Sequence, residues 1–238
     1  MMKLNISDFQ ALPDSKINLK KWPTLIDPLY TSKKHYQKIL KQNVEALSEL
    51  QHMLYADNHY SILLIFQGMD AAGKDGAIRH VMSGINPQGF QVFSFKQPSA
   101  NELEHDFLWR TARCLPERGR IGIFNRSYYE EVLIVKVHPE FLVSQRLPDK
   151  LPPKKSFWQN RYRSILEHEA HLHRSGTRII KFFLHQSKDE QARRFMQRID
   201  DPDKNWKLTT ADIEQREFWD DYTKAYEECI NASTTKEA

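Results

Sequence analysis

The sequence predicts an α/β fold, a three-layer α/β/α sandwich around a mainly parallel sheet. Two observations carry the prediction. Four short apolar runs, at residues 61–67, 90–95, 121–125 and 178–184, recur between longer segments whose apolar residues fall at helical, three- and four-residue steps. The runs are short and mostly apolar, as in strands covered on both faces, and such strands belong to parallel sheets with helices on either side.

Residues 1–30 have no clear period; Trp22-Pro23 and Pro28 break any helix, and the segment reads as an arm over the body. From Thr31 to about Tyr55 the residues Tyr36, Ile39, Leu40, Val44, Leu47, Leu50 and Leu54 set a helical stripe. Strand Ser61–Gln67 follows, then a helix over Gly73–Ser83 and a strand over Phe90–Phe95. Asn101–Leu115 reads as a helix opened by a Ser99/Glu102 capping box. Ile121–Asn125 is a third strand, and Tyr128–Lys136 is helical or, through Val132-Leu133-Ile134-Val135, a strand. The Pro-rich piece Leu147–Pro153 is a loop, Phe157–His173 a long amphipathic helix and Arg178–Leu184 a fourth strand. Ser187 and Glu190 cap a helix to about Ile199, Asp200–Thr209 is polar and irregular, and Asp212–Ile230 is a final helix.

The 238 residues suit one domain, 1–238, and 40% apolar content is enough to build its core. Net charge is +4, too small an excess to mark a nucleic-acid binder. No apolar run approaches the roughly 18–20 residues of a membrane span, and no apolar stretch at the start has signal-peptide length. Cys114 and Cys229 are the two cysteines, so a disulfide framework or cysteine-rich metal site is excluded. A cytoplasmic globular protein is the expectation.

Directly after the first strand comes Gly68-Met69-Asp70-Ala71-Ala72-Gly73-Lys74-Asp75-Gly76. Gly68, Gly73 and Lys74 match the phosphate-loop spacing G-x-x-x-x-G-K. Glycines let backbone N–H groups point inward, the next helix adds its positive N-terminus, and Lys74 adds a mobile charge. Expected phosphate contacts are Gly68, Ala71, Ala72, Gly73, Lys74, Asp75 and Gly76. The bland alternative is a glycine-rich turn that binds nothing. The Ser or Thr that usually follows the lysine and holds Mg²⁺ is Asp75 here. Asp70 is a metal ligand, directly or through water, an orienter of the acceptor phosphate, or only a turn residue.

The third strand ends in Asn125-Arg126-Ser127, followed by Glu130 and Glu131. An acidic residue is usual at such a strand end. Either glutamate could supply the charge that Asn125 lacks, so Asp70, Glu130 and Glu131 are the candidate metal ligands. Arg126 can clamp phosphate oxygens in a fork, or it can merely pair with Glu130 or Glu131. Between Arg174 and Lys207 nine basic residues stand against five acidic; from Leu208 onward three basic stand against eight acidic. Arg194 and Arg198, four apart, share a helix face. With Lys188 they could close over a phosphoryl group as a helical lid, residues 187–215; the alternative is a solvated helix. His168-Glu169-Ala170-His171 misses H-E-x-x-H by one residue and reads as the polar face of its helix. Trp219, Tyr222 and Tyr226 read as core; Trp206 could stack on a base or dock the lid.

Taken together, Gly68–Gly76, Asn125-Arg-Ser-Tyr-Tyr-Glu-Glu131 with Val132-Leu133, and Asp106-Phe-Leu-Trp-Arg110 resemble the polyphosphate kinase 2 family. Lys181-Phe-Phe-Leu-His185-x-Ser187-Lys188 and the segments around Trp206 and Glu217-x-Trp219 fit as well. The resemblance covers nearly the whole chain, fading before about residue 30 and after about residue 230. It implies a phosphate-loop kinase fold with a helical lid, phosphoryl transfer between inorganic polyphosphate and nucleotides with Mg²⁺ or Mn²⁺, and homodimers or homotetramers. It makes Asp70 the loop aspartate, Lys74 the phosphate-binding lysine and Arg126 the second-strand arginine, with Glu130 placing metal or acceptor. Arg110, Asn125, Arg126 and Trp206 become nucleotide contacts. Asn125 replaces an Asp common in the family, and the Asn-Arg-Ser-x-Tyr-Glu form is similar to the third class, which accepts nucleoside mono- and diphosphates. Glu131 replaces that class's more common Asp. The expected substrates are polyphosphate with AMP, ADP and ATP, or the guanosine equivalents. Two rivals stay open: an ATP-donor kinase of the nucleoside-monophosphate type, and a non-catalytic binder of polyanions or nucleic acid.

Overall fold

The structure is a computed structural model, described for residues 5–13, 15–148, 153–202, 205 and 209–238. Four parallel strands form the central layer: β1 (Ser61–Gln67), β2 (Phe90–Ser94), β3 (Ile121–Asn125) and β4 (Thr177–Phe183), in the order β2-β3-β1-β4. All three pairings are parallel, and the register sets Phe66 of β1 beside Asn125 of β3 and Gln67 beside Phe183 of β4. The chain leaves β1 toward one edge, returns through β3, and then crosses to the other edge. The carboxyl ends of β1 and β3 therefore lie side by side where that order reverses, the place where open α/β sheets bind ligands.

Two apolar layers enclose the sheet because side chains alternate along each strand. Leu63 and Ile65 of β1 pack with Phe124 of β3 toward Ile165, Leu172 and Tyr226. These come from α6 (Lys155–Arg174) and α9 (Trp219–Ser233). On the other face Phe66 and Ile123 meet Ile78 and Met82 of α2 (Lys74–Met82), with Val44, Leu47 and Leu54 of α1 (Lys33–Asp57) outside them. Leu63, Ile65, Ile123 and Phe124 are fully buried, which accounts for the continuous apolar runs. The segment before α1 lies against α9: Ile17 N–H donates to Asn231 Oδ1 at 2.7 Å and Leu19 N–H to Glu227 Oε2 at 2.9 Å.

Three predicted helices are interrupted. The Ser99/Glu102 capping box forms, but Asn101–Leu115 divides into α3 (Ala100–Leu103) and α4 (Trp109–Ala112). Between them the side chains take the backbone partners: Asp106 Oδ1 accepts from Leu108 N–H at 2.9 Å, and His105 Nδ1 donates to the Asn101 carbonyl. Tyr128–Lys136 is a 3₁₀ turn (Tyr128–Val132) and then α5 (Ile134–Val137), with neither a single helix nor a strand. Ser127 Oγ caps Tyr129 N–H, and the i→i+3 bond from Glu130 N–H to the Ser127 carbonyl tightens the winding. Past α7 (Lys188–Asp200), capped by Ser187, the final helix is α8 (Thr210–Glu214), a 3₁₀ turn (Gln215–Phe218) and then α9. The bend falls where Gln215 Oε1 accepts from Tyr222 O–H at 2.6 Å and lies 2.9 Å from His138 Nε2. Much of the predicted loops 147–153 and 200–209 lies outside the described residues.

The reading of His168–His171 as a polar face is corrected at Glu169. Its side chain is 2% exposed and faces inward. Glu169 Oε1 accepts from Tyr128 O–H at 2.8 Å and Tyr129 O–H at 2.7 Å, and Lys181 Nζ donates to Oε2 at 3.0 Å. Lys181 Nζ also reaches the Ser233 carbonyl at 2.6 Å, joining β4 to the end of α9. A buried carboxylate persists only when paired and hydrogen-bonded, and here it is both. Burial, and then the same carboxylate, hold both tyrosine hydroxyls protonated, far above their ordinary range.

Candidate active site

The loop between β1 and α2 closes tightly. A Cβ on Gly68 would stand 3.0 Å from Ala72 Cβ and 3.1 Å from the Leu184 carbonyl, so only glycine fits without a shift. Gly73 takes φ +95° at the helix start, where a side chain would be strained. Ala71 adopts φ +60°, left-handed despite its Cβ, at a cost of roughly 1–2 kcal/mol. At Gly76 an added Cβ meets nothing within 4 Å, so that glycine is not required by space.

Lys74 does not extend into solvent. Its Nζ curls back to donate to the carbonyls of Gly68 at 2.5 Å and Met69 at 3.0 Å. Burial, then the neighbouring Arg126 charge, lowers its pKa from 10.5 to about 8. Asp75, expected at phosphate, has a carboxylate that accepts from Asn125 Nδ2 at 2.6 Å across the tops of α2 and β3. Asn125 is thereby committed to Asp75, with Ser94 Oγ 3.4 Å away.

Arg126 is the hub. Its N–H donates to the Phe66 carbonyl at 3.0 Å, joining the two strand ends, and its φ of +65° turns the side chain across the loop. Nη2 donates to Asp70 Oδ1 at 2.5 Å and Nη1 to Glu130 Oε2 at 3.3 Å. These two carboxylates, Glu130 first, raise its already high pKa and keep it charged. The Gln67 amide lies 3.0 Å from Ser127 Oγ and, with its nitrogen turned outward, donates to Glu130 Oε1 at 3.0 Å.

Gly68, Asp70, Arg126 and Glu130 line one pocket, and its opposite wall is Leu133, Trp219, Tyr222 and Tyr226. The arrangement sets a charged floor beneath an apolar, aromatic wall. The predicted residues divide accordingly. Arg194 reaches the loop by donating from Nη1 to the Ala71 carbonyl at 2.9 Å, while its Nε donates to Glu190 at 2.7 Å. Hydrogen bonds from Arg193 and Arg194 pull Glu190 down to about 2.

Others are not brought to the pocket. Glu131 is buried away from it, 3.0 Å from Arg161 Nε and accepting from Gln145 at 2.9 Å; burial raises its pKa despite Arg161. Consecutive residues of a tight turn face different ways, so Glu130 alone reaches Arg126. Arg110 donates to the Lys96 carbonyl at 2.8 Å and sits over Phe95. Arg198 lies over the Phe195 ring of its own helix, and Lys188 stands exposed at the start of α7. Trp206 lies outside the described residues.

Sequence reasoning missed the wall. Trp219, Tyr222 and Tyr226 were assigned to the core from their helical spacing. Tyr226 is buried and Tyr222 packs against the core as expected, but both also line the pocket, together with the partly buried Trp219. Spacing identifies the face of a helix and not what that face meets. Gln186 and Gln191, whose amides touch the loop, carried no sequence signal at all.

The polyphosphate kinase 2 family profile matches residues 30–238. An ADP-polyphosphate phosphotransferase from Rhodopseudomonas palustris is 61% identical over 237 residues, covering 100% of this chain and 82% of that protein. An AMP/ADP-polyphosphate phosphotransferase from Meiothermus ruber is 42% identical over 97% of this chain and 82% of its own length. The crystal structure of polyphosphate kinase 2 from Arthrobacter aurescens superposes with a TM-score of 0.84 at 37% identity, covering 94% of this chain and 77% of that one.

Proposed function

The chain belongs to the polyphosphate kinase 2 family and is a polyphosphate-dependent nucleotide kinase, and we propose that it phosphorylates both nucleoside mono- and diphosphates, AMP to ADP and ADP to ATP. The observation that carries this reading is the convergence of Asp70 and Glu130 on Arg126 beside a phosphate loop. Pure polyanion binders gain nothing from carboxylates placed beside the ligand. A kinase that must hold two polyanions end to end does gain, because the carboxylates seat a cation between them.

The residues present fit Mg²⁺ or Mn²⁺. Among the described residues no three His, Cys, Asp or Glu side chains cluster around one point, and Mg²⁺ needs only one or two carboxylates when phosphate oxygens complete its shell. Asp70 and Glu130 would hold it; bound there, the ion would neutralise charge on the transferring phosphoryl group. Glu131, held by Arg161, is left out of that set.

The loop N–H groups and Lys74 hold phosphate oxygens, and Arg126 offers a two-pronged guanidinium to them. Lys74 exchanges its two loop carbonyls for phosphate. The acceptor oxygen of a nucleotide is already anionic, so its attack requires alignment and no strong base. The wall of Trp219 and Tyr222 gives a nucleobase flat apolar surfaces. Asp75, Gly76 and Asn125 would border the phosphate side of this centre, and Lys188, Arg198 and Trp206 would reach it only when the lid closes; Arg110, turned to the Lys96 carbonyl, would have to leave that bond to touch a nucleotide. Residues 187–215 serve as the lid and 1–30 as the arm of a single domain. Assembly as a homodimer or homotetramer and a cytoplasmic location complete the proposal; among the described residues no helix is long and apolar enough to cross a membrane.

Purified protein, Mg²⁺, polyphosphate and AMP without ATP, followed by phosphorus NMR, test it. ADP and then ATP are expected, with GMP and GDP run in parallel. ADP formed only when ATP is the donor identifies the monophosphate-kinase rival. Binding of polyphosphate with no nucleotide phosphorylated identifies the non-catalytic one.

A further inference from the structure

Four consecutive carbonyls of the phosphate loop each accept from a side chain, two from the loop's own lysine and two from residues beyond β4. Lys74 takes those of Gly68 and Met69, and Arg194 takes that of Ala71. The carbonyl of Asp70 is held twice: Gln186 Nε2 and Gln191 Nε2 each donate to it at 2.9 Å. Both glutamines are buried, Gln186 at 6% exposure and Gln191 at 4%. A carbonyl oxygen has two lone pairs, and here two buried amides use both.

Their positions follow from the sheet. β4 pairs with β1 in a register that ends at Gln67 and Phe183, and Leu184 N–H donates to the Gln67 carbonyl at 2.8 Å. Gln186 therefore emerges beside the loop that leaves β1. Ser187 caps α7, and Gln191 lies in the first turns of that helix, three residues before Arg194 on the same face. One helix face thus grips two successive carbonyls, 70 and 71.

The grip explains the strained Ala71. With the Asp70 carbonyl drawn outward toward α7, the peptide between residues 70 and 71 turns its N–H toward the phosphate side. Ala71 then has to accept left-handed φ. Strain of this kind persists only where the surroundings over-determine it. Released, the peptide could rotate about its own axis, turning its N–H from the phosphate side and loosening the turn that carries the Asp70 carboxylate to Arg126.

We propose that Gln186 and Gln191 are positioning residues that act through their shared hold on the Asp70 carbonyl, setting the direction of the loop N–H groups and of the Asp70 carboxylate. The inference rests on the kinase reading of Asp70 and adds a coupling between the lid helix and that residue. Neither glutamine is assigned contact with substrate.

The test is a double-mutant cycle with Gln186→Met and Gln191→Met, isosteric in shape and without a donor. Each single variant leaves one amide on the carbonyl and is expected to lower kcat about threefold to fivefold, with KM for nucleotide within about twofold. The double variant is expected to lose about a hundredfold or more, well beyond the product of the singles, because misplacement then reaches the reacting groups. Hydrogen–deuterium exchange over residues 68–73 should accelerate in the same order. Purely multiplicative kcat losses, or unchanged loop exchange in the variants, overturn the proposal. The exchange measurement needs no turnover, so it decides the clamp even if the wild-type protein phosphorylates no nucleotide, an outcome that would instead sink the kinase reading. The single variants supply the same readout if the double variant does not fold.

Discussion

Replacing Lys74 with Met should stabilise the protein while destroying its activity. Lys74 is 8% exposed, and burial with the adjacent Arg126 charge brings its pKa from 10.5 to about 8. A displacement of that size corresponds to roughly 3 kcal/mol of unfavourable charge burial at neutral pH. Methionine removes that cost but also loses the two bonds to the Gly68 and Met69 carbonyls, each about 1 kcal/mol net. The balance is a gain of about 1–2 kcal/mol, or about 3–6 °C in Tm for a chain of this size. The pH dependence carries the sign. Between about pH 8 and 10.5 the unfolded chain keeps a proton that folded Lys74 has released, so wild-type stability rises with pH across that window. The advantage of Lys74→Met is therefore full below pH 8, passes through zero near about pH 9 and is reversed by about 2 kcal/mol at pH 10.5, where neutral Lys74 keeps its two hydrogen bonds at no charge-burial cost. Urea unfolding at pH 7, 9 and 10.5, without substrates, measures it, and transfer from polyphosphate should fall at least about a hundredfold. A variant less stable than wild type at pH 7, or a gain that does not shrink toward pH 10.5, would show that Lys74 is not held at a cost.

Two further outcomes follow from the carboxylates. Glu169→Ala strands the Lys181 charge and two buried tyrosine hydroxyls, and should cost about 3–5 kcal/mol, with Glu169→Gln costing less; a loss below about 1 kcal/mol in urea melts would remove the hub assignment. Glu130→Gln and Asp70→Asn should each raise the Mg²⁺ concentration for half-maximal activity at least about tenfold, whereas Glu131→Gln should lower stability and leave the Mg²⁺ titration in place. An equal shift in the Glu131 variant would show that the buried glutamate, and not Glu130, serves the ion.

Much of the fold can be read along the chain. The boundaries of β1 and β3 coincide with their apolar runs, because a strand covered on both faces is apolar along its middle, with polar Ser61, Gln67 and Asn125 only at the ends. The loop chemistry at Gly68, Gly73 and Lys74 is equally local, since glycine spacing and the following helix start lie within seven residues. The interruption at Asp106 was missed because a side chain taking a backbone partner leaves the hydrophobic period unchanged; at Leu133 the break is a backbone turn, φ −110° and ψ −90°, that leaves the period unchanged as well. Of two adjacent glutamates, nothing in their order says that Glu130 meets Arg126 while Glu131 meets Arg161.

What the sequence alone determined is the class of fold, the phosphate loop and the candidates Asp70, Lys74, Arg126 and Glu130. These depend on interactions a few residues apart. Only the tertiary structure decided that Asp70 faces Arg126 across 56 residues, that Glu169 receives tyrosines 40 and 41 residues away, and that Gln191 holds a carbonyl 121 residues back. Such pairings are set by sheet order and helix packing, which bring distant groups into contact without leaving any period or spacing in the chain.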